Sequence, residues 1–180
     1  MQDSEFWVFG YGSLLWKPGF EFVECRLATL HGFNRSFCMS SIHYRGTEDD
    51  PGLVLALDPE DGSECHGVGF RVADDIAAGT LAYLRERELI SSAYLEQRHE
   101  IQFRDGSAAQ AVCYVINRDH VQYAGGLSLR DQADIIARAK GSAGPNTEYL
   151  HNTVLHLEEL GIADLELEQL AAMVKEAAIL

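Results

Sequence analysis

Short apolar runs bounded by glycine, proline, asparagine or aspartate fill the first two-thirds of the chain and predict β-strands. The predicted strands cover residues 6–11, 25–33, 36–42, 53–57, 65–72, 100–104 and 108–117. Asp105-Gly106 joins the last two runs and is a typical hairpin signal. A helix over about Asp74 to Leu89 interrupts the series, because its apolar residues recur at helical spacing.

The last third of the chain changes to a helical period. Ser128 can cap a first helix that runs to Lys140, with Gly141 as its terminator. A second helix has Pro145 in its first turn and ends near Gly161, and a third starts near Asp164. Strands followed by helices predict an α+β fold, in which a curved or closed mixed sheet carries packed helices and the C-terminal third is helical.

Length and charge narrow the possible functions. The 180 residues fit one domain, for which we take the whole of 1–180. Fourteen basic against twenty-eight acidic side chains give a net charge of −14, which repels nucleic acid and anionic lipid. No apolar run approaches the ~20 residues that span a bilayer. The acidic start, with Asp3 and Glu5, does not resemble a secretory signal, so we expect a cytoplasmic protein.

The cysteines and histidines do not form a recognisable ligand pattern. The four cysteines lie far apart without a C-x-x-C pair, so we expect buried, unoxidised thiols. His151 and His156 are five residues apart, which places them on different helix faces. We therefore expect no metal and no other cofactor.

A glycine-rich turn, Gly10-Tyr11-Gly12-Ser13, follows the first predicted strand. Two glycines two residues apart let the backbone approach a ligand and direct its N–H groups toward one point. Such a turn suits a carboxylate or a developing oxyanion. The alternative is an ordinary turn in which the glycines only reverse the chain.

Glu88 is an acidic residue on the apolar side of the predicted helix. At about 100° per residue it lies roughly 40° from Leu84, whereas Glu86 points to the opposite side. A buried carboxyl has a raised pKa, which is the property of a general acid/base at neutral pH. The alternative is that Glu88 lies at a frayed helix end and pairs with Arg85 or Arg87.

Two further side chains are candidates for substrate contacts. Arg45 can clamp a carboxylate with two hydrogen bonds, although such an arginine more often pairs with a nearby acid such as Asp49 or Asp50. Tyr149 can donate its hydroxyl into a cleft, although a tyrosine on an amphipathic helix more often belongs to the core.

Several segments occur in a characteristic order along nearly the whole chain. They are residues 9–16 (Phe-Gly-Tyr-Gly-Ser-Leu-Leu-Trp), Arg45-Gly46-Thr47 with Pro51-Gly52, residues 67–71 (Gly-Val-Gly-Phe-Arg), Arg87-Glu88 with Tyr94-Leu95, and Gly144-Pro145-Asn146 with Glu148-Tyr149-Leu150. Together they resemble the ChaC-type γ-glutamyl cyclotransferases, a family of glutathione-specific enzymes.

The resemblance implies a γ-glutamyl cyclotransferase-like fold, a small mixed β-barrel with flanking helices. It implies that Glu88 is the catalytic acid/base and that the γ-glutamyl pocket is lined by Tyr11, Gly12, Ser13 and Leu14. Leu53 stands where the family often has a basic residue, and Ser91-Ser92 stand where a glycine is common. Both departures concern the side of the site that would hold the leaving group.

The expected activity is cleavage of glutathione to 5-oxoproline and cysteinylglycine, by attack of the glutamyl α-amine on its own γ-carbonyl. One alternative is a cyclotransferase for other γ-glutamyl amines or amino acids. Another is a non-catalytic protein that senses an anion and regulates cation transport. The expected partner is a small-molecule substrate, with neither nucleic acid nor membrane, and protein partners are unknown.

Overall fold

A computed structural model describes residues 5–89 and 92–179 and divides the chain into two compact units. The first unit is Met1–Arg35 with Leu57–Asn117, and the second is Ser36–Ala56 with Arg118–Leu180. The elements in chain order are β1 (Phe6–Gly10), α1 (Ser13–Trp16), β2 (Glu24–Ser41), β3 (Gly52–Val72), α2 (Asp74–Glu88), β4 (Tyr94–Phe103), β5 (Ala108–Ile116), α3 (Leu129–Arg138), β6 (Lys140–Gly141), β7 (Gly144–Pro145), α4 (Asn146–Glu159) and α5 (Leu165–Ile179). The predicted single domain over 1–180 stays a prediction.

The strands form a closed mixed barrel in the order β1-β3-β2-β4-β5. β1 is antiparallel to β3 and parallel to β5, which closes the ring. β4 and β5 are the predicted hairpin, with Gly106 in its turn. The α+β fold with a barrel, flanking helices and a helical C-terminal third is confirmed.

Two pairs of predicted strands are each one continuous strand, so those boundaries were wrong. β2 spans Glu24–Ser41 and β3 spans Gly52–Val72, and each contributes to both units. Gly32 and Gly62 have φ values of 84° and 83° inside these strands. A glycine in a strand can accommodate a local bend while the pairing continues on either side, so it does not mark an end.

The fourth barrel strand, β4, begins at Tyr94, six residues before the predicted start. Charged and polar residues alternate from Glu96 to Glu100, which hides this part of the strand from a search for apolar runs. Pairing with β5 nevertheless starts at Tyr94 and Ile116. Just before it, Ser92 has φ 58°, a left-handed conformation that favours glycine, whereas Ser91 lies outside the described residues.

The core of the first unit joins the barrel to α2. A buried cluster contains Phe6, Val8, Leu14, Val72, Leu84, Val112 and Tyr114. Ala77 and Leu81, on the predicted apolar face of α2, pack against this cluster. Glu86 is exposed, as its angular position predicts.

The second unit is built around its three helices. Leu150 and Leu157 of α4 are buried, as are Leu167, Leu170 and Val174 of α5. Ser128 caps α3 as predicted, because its Oγ accepts from the N–H of Asp131 at 3.1 Å.

Two predicted helix boundaries in the second unit were wrong. α3 ends at Arg138 rather than at Lys140, because Lys140–Gly141 pairs with Gly144–Pro145. Pro145 precedes α4 instead of lying in its first turn.

The cysteine prediction needs one correction. The four cysteines lie within the described residues and none of them forms a disulfide. Cys38, Cys65 and Cys113 are buried, but Cys25 is exposed. Ala28 and Leu30 point inward from β2, so the alternation of the strand directs Cys25 to the outer face. In the described part of the chain, no helix is both long and apolar enough to cross a bilayer.

The side chain of Asn146 holds the start of β3 through two hydrogen bonds to the backbone of Leu53. Its Oδ1 accepts from the N–H of Leu53 and its Nδ2 donates to the carbonyl of Leu53, both at 2.8 Å. Asn146 is fully buried and Leu53 is 1 % exposed. Buried backbone groups that lose their only partner carry the full cost of desolvation.

We therefore expect Asn146→Ala to lower the free energy of unfolding by about 3 kcal/mol, because two buried backbone groups of Leu53 lose their partners. Urea unfolding of the variant measures this. Asn152→Ala, on the same helix, is the matched control and should change stability by less than about 1 kcal/mol. Equal losses in the two variants would contradict the role of Asn146.

Candidate active site

The glycine-rich turn begins where β1 leaves the barrel. β1 pairs with β3 up to Gly10 and Val68, and α1 opens at Ser13. A Cβ at Gly67 would collide with the carbonyl of Gly10, so β3 can approach this turn only with a glycine there. The N–H groups that open a helix have no partner inside that helix.

Side chains from the barrel hold the turn in place. The Tyr11 hydroxyl donates to the carbonyl of Tyr114 at 2.8 Å. The buried Arg35 donates from Nη1 to the carbonyl of Tyr11 at 3.1 Å and to that of His66 at 2.9 Å. Leu14 extends into the hydrophobic cluster. The turn is therefore fixed at its backbone, at its aromatic side chain and at its apolar end.

Glu88 is the last residue of α2, and its side chain is only 13 % exposed. Burial raises the pKa of the Glu88 carboxyl above its ordinary value, and the positive charge of Arg87 lowers it in part. The Arg87 Nε lies 3.2 Å from Glu88 Oε1. Glu88 is therefore buried, as its position on the helix predicts, and it also pairs with Arg87, which the alternative expected.

Arg87 connects this carboxyl to the turn. Its Nη2 donates to the Oγ of Ser13 at 3.1 Å, while its Nε faces Glu88. Leu84 of α2 and Leu14 of the turn belong to the same buried cluster. The end of α2 and the turn are therefore joined by one polar and one apolar connection within the first unit.

A second polar group lies close to Glu88 and was missed in the sequence. The Tyr114 hydroxyl donates to Glu96 Oε1 at 3.1 Å, and Arg85 donates to both oxygens of Glu96. Burial raises the pKa of Tyr114, and the charges of Glu96 and Glu88 raise it further. Hydrogen bonding from Arg85 lowers the pKa of Glu96. Glu96 lies on β4 and is paired with Tyr114 of β5. Sequence spacing alone does not show that the two strands pair in this register.

Arg45 and Tyr149 lie together in the second unit. The guanidinium of Arg45 donates to the carbonyl of Pro145 at 3.0 Å, lies 3.5 Å from Glu148 Oε1 and sits 5.8 Å from the ring centroid of Tyr149. The Tyr149 hydroxyl accepts from the N–H of Leu55 at 3.2 Å. The expected alternative partner Asp50 instead pairs with Arg138 at 3.1 Å.

A metal ion needs a particular arrangement of histidine, cysteine, aspartate or glutamate side chains. Across residues 5–89 and 92–179, no group of three or more histidine, cysteine, aspartate or glutamate side chains is arranged to hold a metal ion.

Comparison with known proteins agrees with this fold and identifies the family. A solved structure of a glutathione-specific γ-glutamyl cyclotransferase from yeast superimposes with a TM-score of 0.89, covering 97 % of both chains at 24 % identity. The fold is therefore that of the γ-glutamyl cyclotransferases. A family profile described as "ChaC-like protein" matches residues 6–177, so the chain belongs to the ChaC-like family.

Curated relatives extend the match over most of their own length. The glutathione-specific γ-glutamylcyclotransferase of Escherichia coli K12 is 35 % identical over 174 residues, which cover 97 % of this chain and 74 % of that protein. The γ-glutamylcyclotransferase 2-3 of Arabidopsis thaliana is 34 % identical over 175 residues, which cover 94 % of this chain and 88 % of that protein.

The raised pKa of Glu88 predicts how pH changes stability. The folded protein keeps the Glu88 proton at pH values where the unfolded chain has released it, so the contribution of this carboxyl is full below its ordinary pKa. That contribution is lost as pH rises through the raised folded pKa. Glu88→Gln stays neutral, so its melting temperature should gain on the wild type as pH rises from about 4 to about 8.

Thermal unfolding across this pH range measures the difference between the two proteins. Glu86→Gln, on the exposed side of the same helix, is the control and should give a nearly constant difference from the wild type. A Glu88→Gln curve that runs parallel to the wild type would contradict the raised pKa.

Proposed function

We propose that this protein is a γ-glutamyl cyclotransferase that cleaves glutathione to 5-oxoproline and cysteinylglycine, with Glu88 as the proton-transfer group. The observation that carries the proposal is the largely buried Glu88 carboxyl, whose neighbour Arg87 binds the Gly-Tyr-Gly-Ser turn. Membership of the ChaC-like family and the names of the relatives in Escherichia coli and yeast support the choice of glutathione.

The reaction needs little chemistry from the protein beyond positioning and proton transfer. The α-amine of the glutamyl residue attacks its own γ-carbonyl carbon, the five-membered lactam closes, and the amide bond to cysteine breaks. Well-oriented intramolecular attacks reach effective molarities of roughly 10⁵–10⁸ M. Holding the substrate in the cyclising conformation is therefore the main task of the site.

Glu88 moves the proton that passes from the attacking nitrogen to the leaving nitrogen. The glutamyl ammonium first releases one proton to water, which leaves a neutral amine as the nucleophile. As a carboxylate, Glu88 takes a second proton from this nitrogen as it attacks, and as a carboxylic acid it gives that proton to the departing amine. A carboxyl with a raised pKa gains and loses a proton more readily near neutral pH than an ordinary glutamate. The two transfers balance, so the enzyme ends each turnover in its starting protonation state without a covalent intermediate.

The turn supplies donors for the negative charge of the substrate. Backbone N–H groups at Tyr11, Gly12, Ser13 and Leu14 hold the glutamyl carboxylate or the oxygen of the tetrahedral intermediate. Local donors of this kind are needed because the net charge of −14 opposes an anionic substrate. Arg45 and Tyr149 are proposed as substrate contacts from their chemistry, a buried guanidinium beside an aromatic ring.

We also propose that the protein works in the cytoplasm, where glutathione keeps thiols reduced, which suits a chain whose cysteines form no disulfide. Its partner is then a small molecule, with no role for nucleic acid or a membrane surface.

Incubation of the purified protein with glutathione, without added metal or nucleotide, should release 5-oxoproline and cysteinylglycine in equal amounts. Glu88→Gln keeps the shape of the side chain but cannot shuttle the proton, so kcat/KM should fall by about 10²–10⁴-fold. Glu86→Gln is the matched control and should keep wild-type activity.

Other outcomes of the same assay separate the alternatives. Faster turnover of γ-glutamyl-lysine or γ-glutamyl-alanine would replace glutathione as the substrate but keep the reaction. Glutathione binding without release of 5-oxoproline would support an anion-sensing protein instead. Wild-type activity in Glu88→Gln would remove Glu88 from the mechanism.

A further inference from the structure

Arg87 makes more polar contacts than a surface ion pair requires. Its Nη1 donates to the carbonyl of Lys17 at 2.6 Å, to that of Pro18 at 3.0 Å and to the hydroxyl of Tyr83 at 3.2 Å. Its Nη2 donates to the Oγ of Ser13 at 3.1 Å, and its Nε faces Glu88 at 3.2 Å. Every nitrogen of the guanidinium is thus engaged, and the side chain is only 19 % exposed.

These contacts reach both ends of one segment. Ser13 is the first residue of α1, and Lys17 and Pro18 immediately follow its last residue. A single side chain therefore binds the start and the exit of α1, the short helix that the glycine-rich turn opens. The same side chain faces the carboxyl group proposed to transfer protons.

The geometry requires an arginine rather than a general positive charge. A guanidinium presents its donors in a rigid planar fork, whereas a lysine ammonium is a compact point charge on a flexible stem. An ammonium at position 87 can approach one or two of these acceptors but cannot span Glu88, Ser13 and the two carbonyls together. Contacts in these directions allow one side chain to fix the distance between Glu88 and the two ends of α1.

We propose that Arg87 is a positioning residue that holds the Glu88 carboxylate and residues 13–18 in a fixed arrangement, so that the proton-transfer group faces the substrate-binding turn; this inference rests on the proposed function of Glu88. Arg87 acts through these two groups rather than on the reacting atoms. Small displacements of a reacting group cost about 10²-fold in rate, so the loss of these contacts should reduce turnover.

The charges around Glu88 give the proposal a second readout. On its own helix Glu88 faces Arg87, whose charge lowers the pKa that burial raises. From β5 it faces Tyr114, whose hydroxyl donates to Glu96 of β4, and Arg85 pairs with that glutamate. Removal of Arg87 leaves burial unopposed, so Glu88 should hold its proton to higher pH.

The test compares Arg87→Met and Arg87→Lys with the wild type in kcat, KM and the pH profile of kcat/KM. Arg87→Met removes both the positive charge and the planar set of donors. We therefore expect kcat to fall at least tenfold and the acidic limb of the kcat/KM profile to move to higher pH by about 1 unit. Arg87→Lys keeps the charge but loses the fork, so kcat should fall about tenfold while the acidic limb moves much less.

Arg26→Met is the matched control. Arg26 is also partly buried and forms ion pairs with Glu24 and Asp105, so this variant removes the same charge away from Glu88. Its acidic limb and kcat should match the wild type. Circular dichroism and thermal unfolding establish that each variant is folded.

Several results would overturn the positioning role. One is a folded Arg87→Met whose kcat/KM profile has the same acidic limb as the wild type. Another is a wild-type kcat in Arg87→Lys. If Arg87→Met does not fold, the kcat of Arg87→Lys decides the question alone. Glu88→Gln measured alongside separates the two levels of the argument. Activity in Glu88→Gln refutes the proposed mechanism itself, whereas an inactive Glu88→Gln beside a wild-type-like Arg87→Lys refutes only the role of Arg87.

Discussion

The site depends on the burial of one carboxyl group beside one cation. Glu88 is withdrawn from water at the end of α2, which disfavours its charge, and Arg87 restores part of the stability of the charged form. A carboxyl held ionised by a strong ion pair would seldom carry the proton that a general acid donates. A carboxyl buried without a partner would seldom be ionised and so could not act as a general base. In the mechanism that we propose, the balance of these two effects lets a single side chain gain and lose a proton during one reaction.

The rest of the first unit keeps this balance in place. The hydrophobic cluster that includes Leu14 and Leu84 fixes α2 against the barrel, so the last turn of the helix delivers Glu88 to a defined position. Hydrogen bonds from Arg35 and to Tyr114 hold the glycine-rich turn from the barrel side. An intramolecular reaction suits such a frame, because the main requirement is a stationary binding surface and the substrate provides its own nucleophile.

Features governed by local periodicity could be predicted from the sequence, and features governed by pairing between distant segments could not. The bounds of α2 and the inward side of Glu88 follow from helical spacing, and the hairpin at Asp105-Gly106 follows from turn chemistry. The long strands β2 and β3 depend on neighbours that carry pairing past internal glycines. The contacts of Arg87 with Ser13 and Pro18 join residues about seventy positions apart, which no local pattern reveals.

The most direct measurement is the titration of the Glu88 carboxyl itself, by NMR of protein with ¹³C-labelled glutamate, with Glu88→Gln used to assign the resonance. The account predicts a midpoint clearly above the ordinary glutamate value of about 4.3, because burial outweighs the charge of Arg87. A midpoint at or below that value would mean that Glu88 is an ordinary ion-paired carboxylate, and the proposed proton transfer would lose its physical basis.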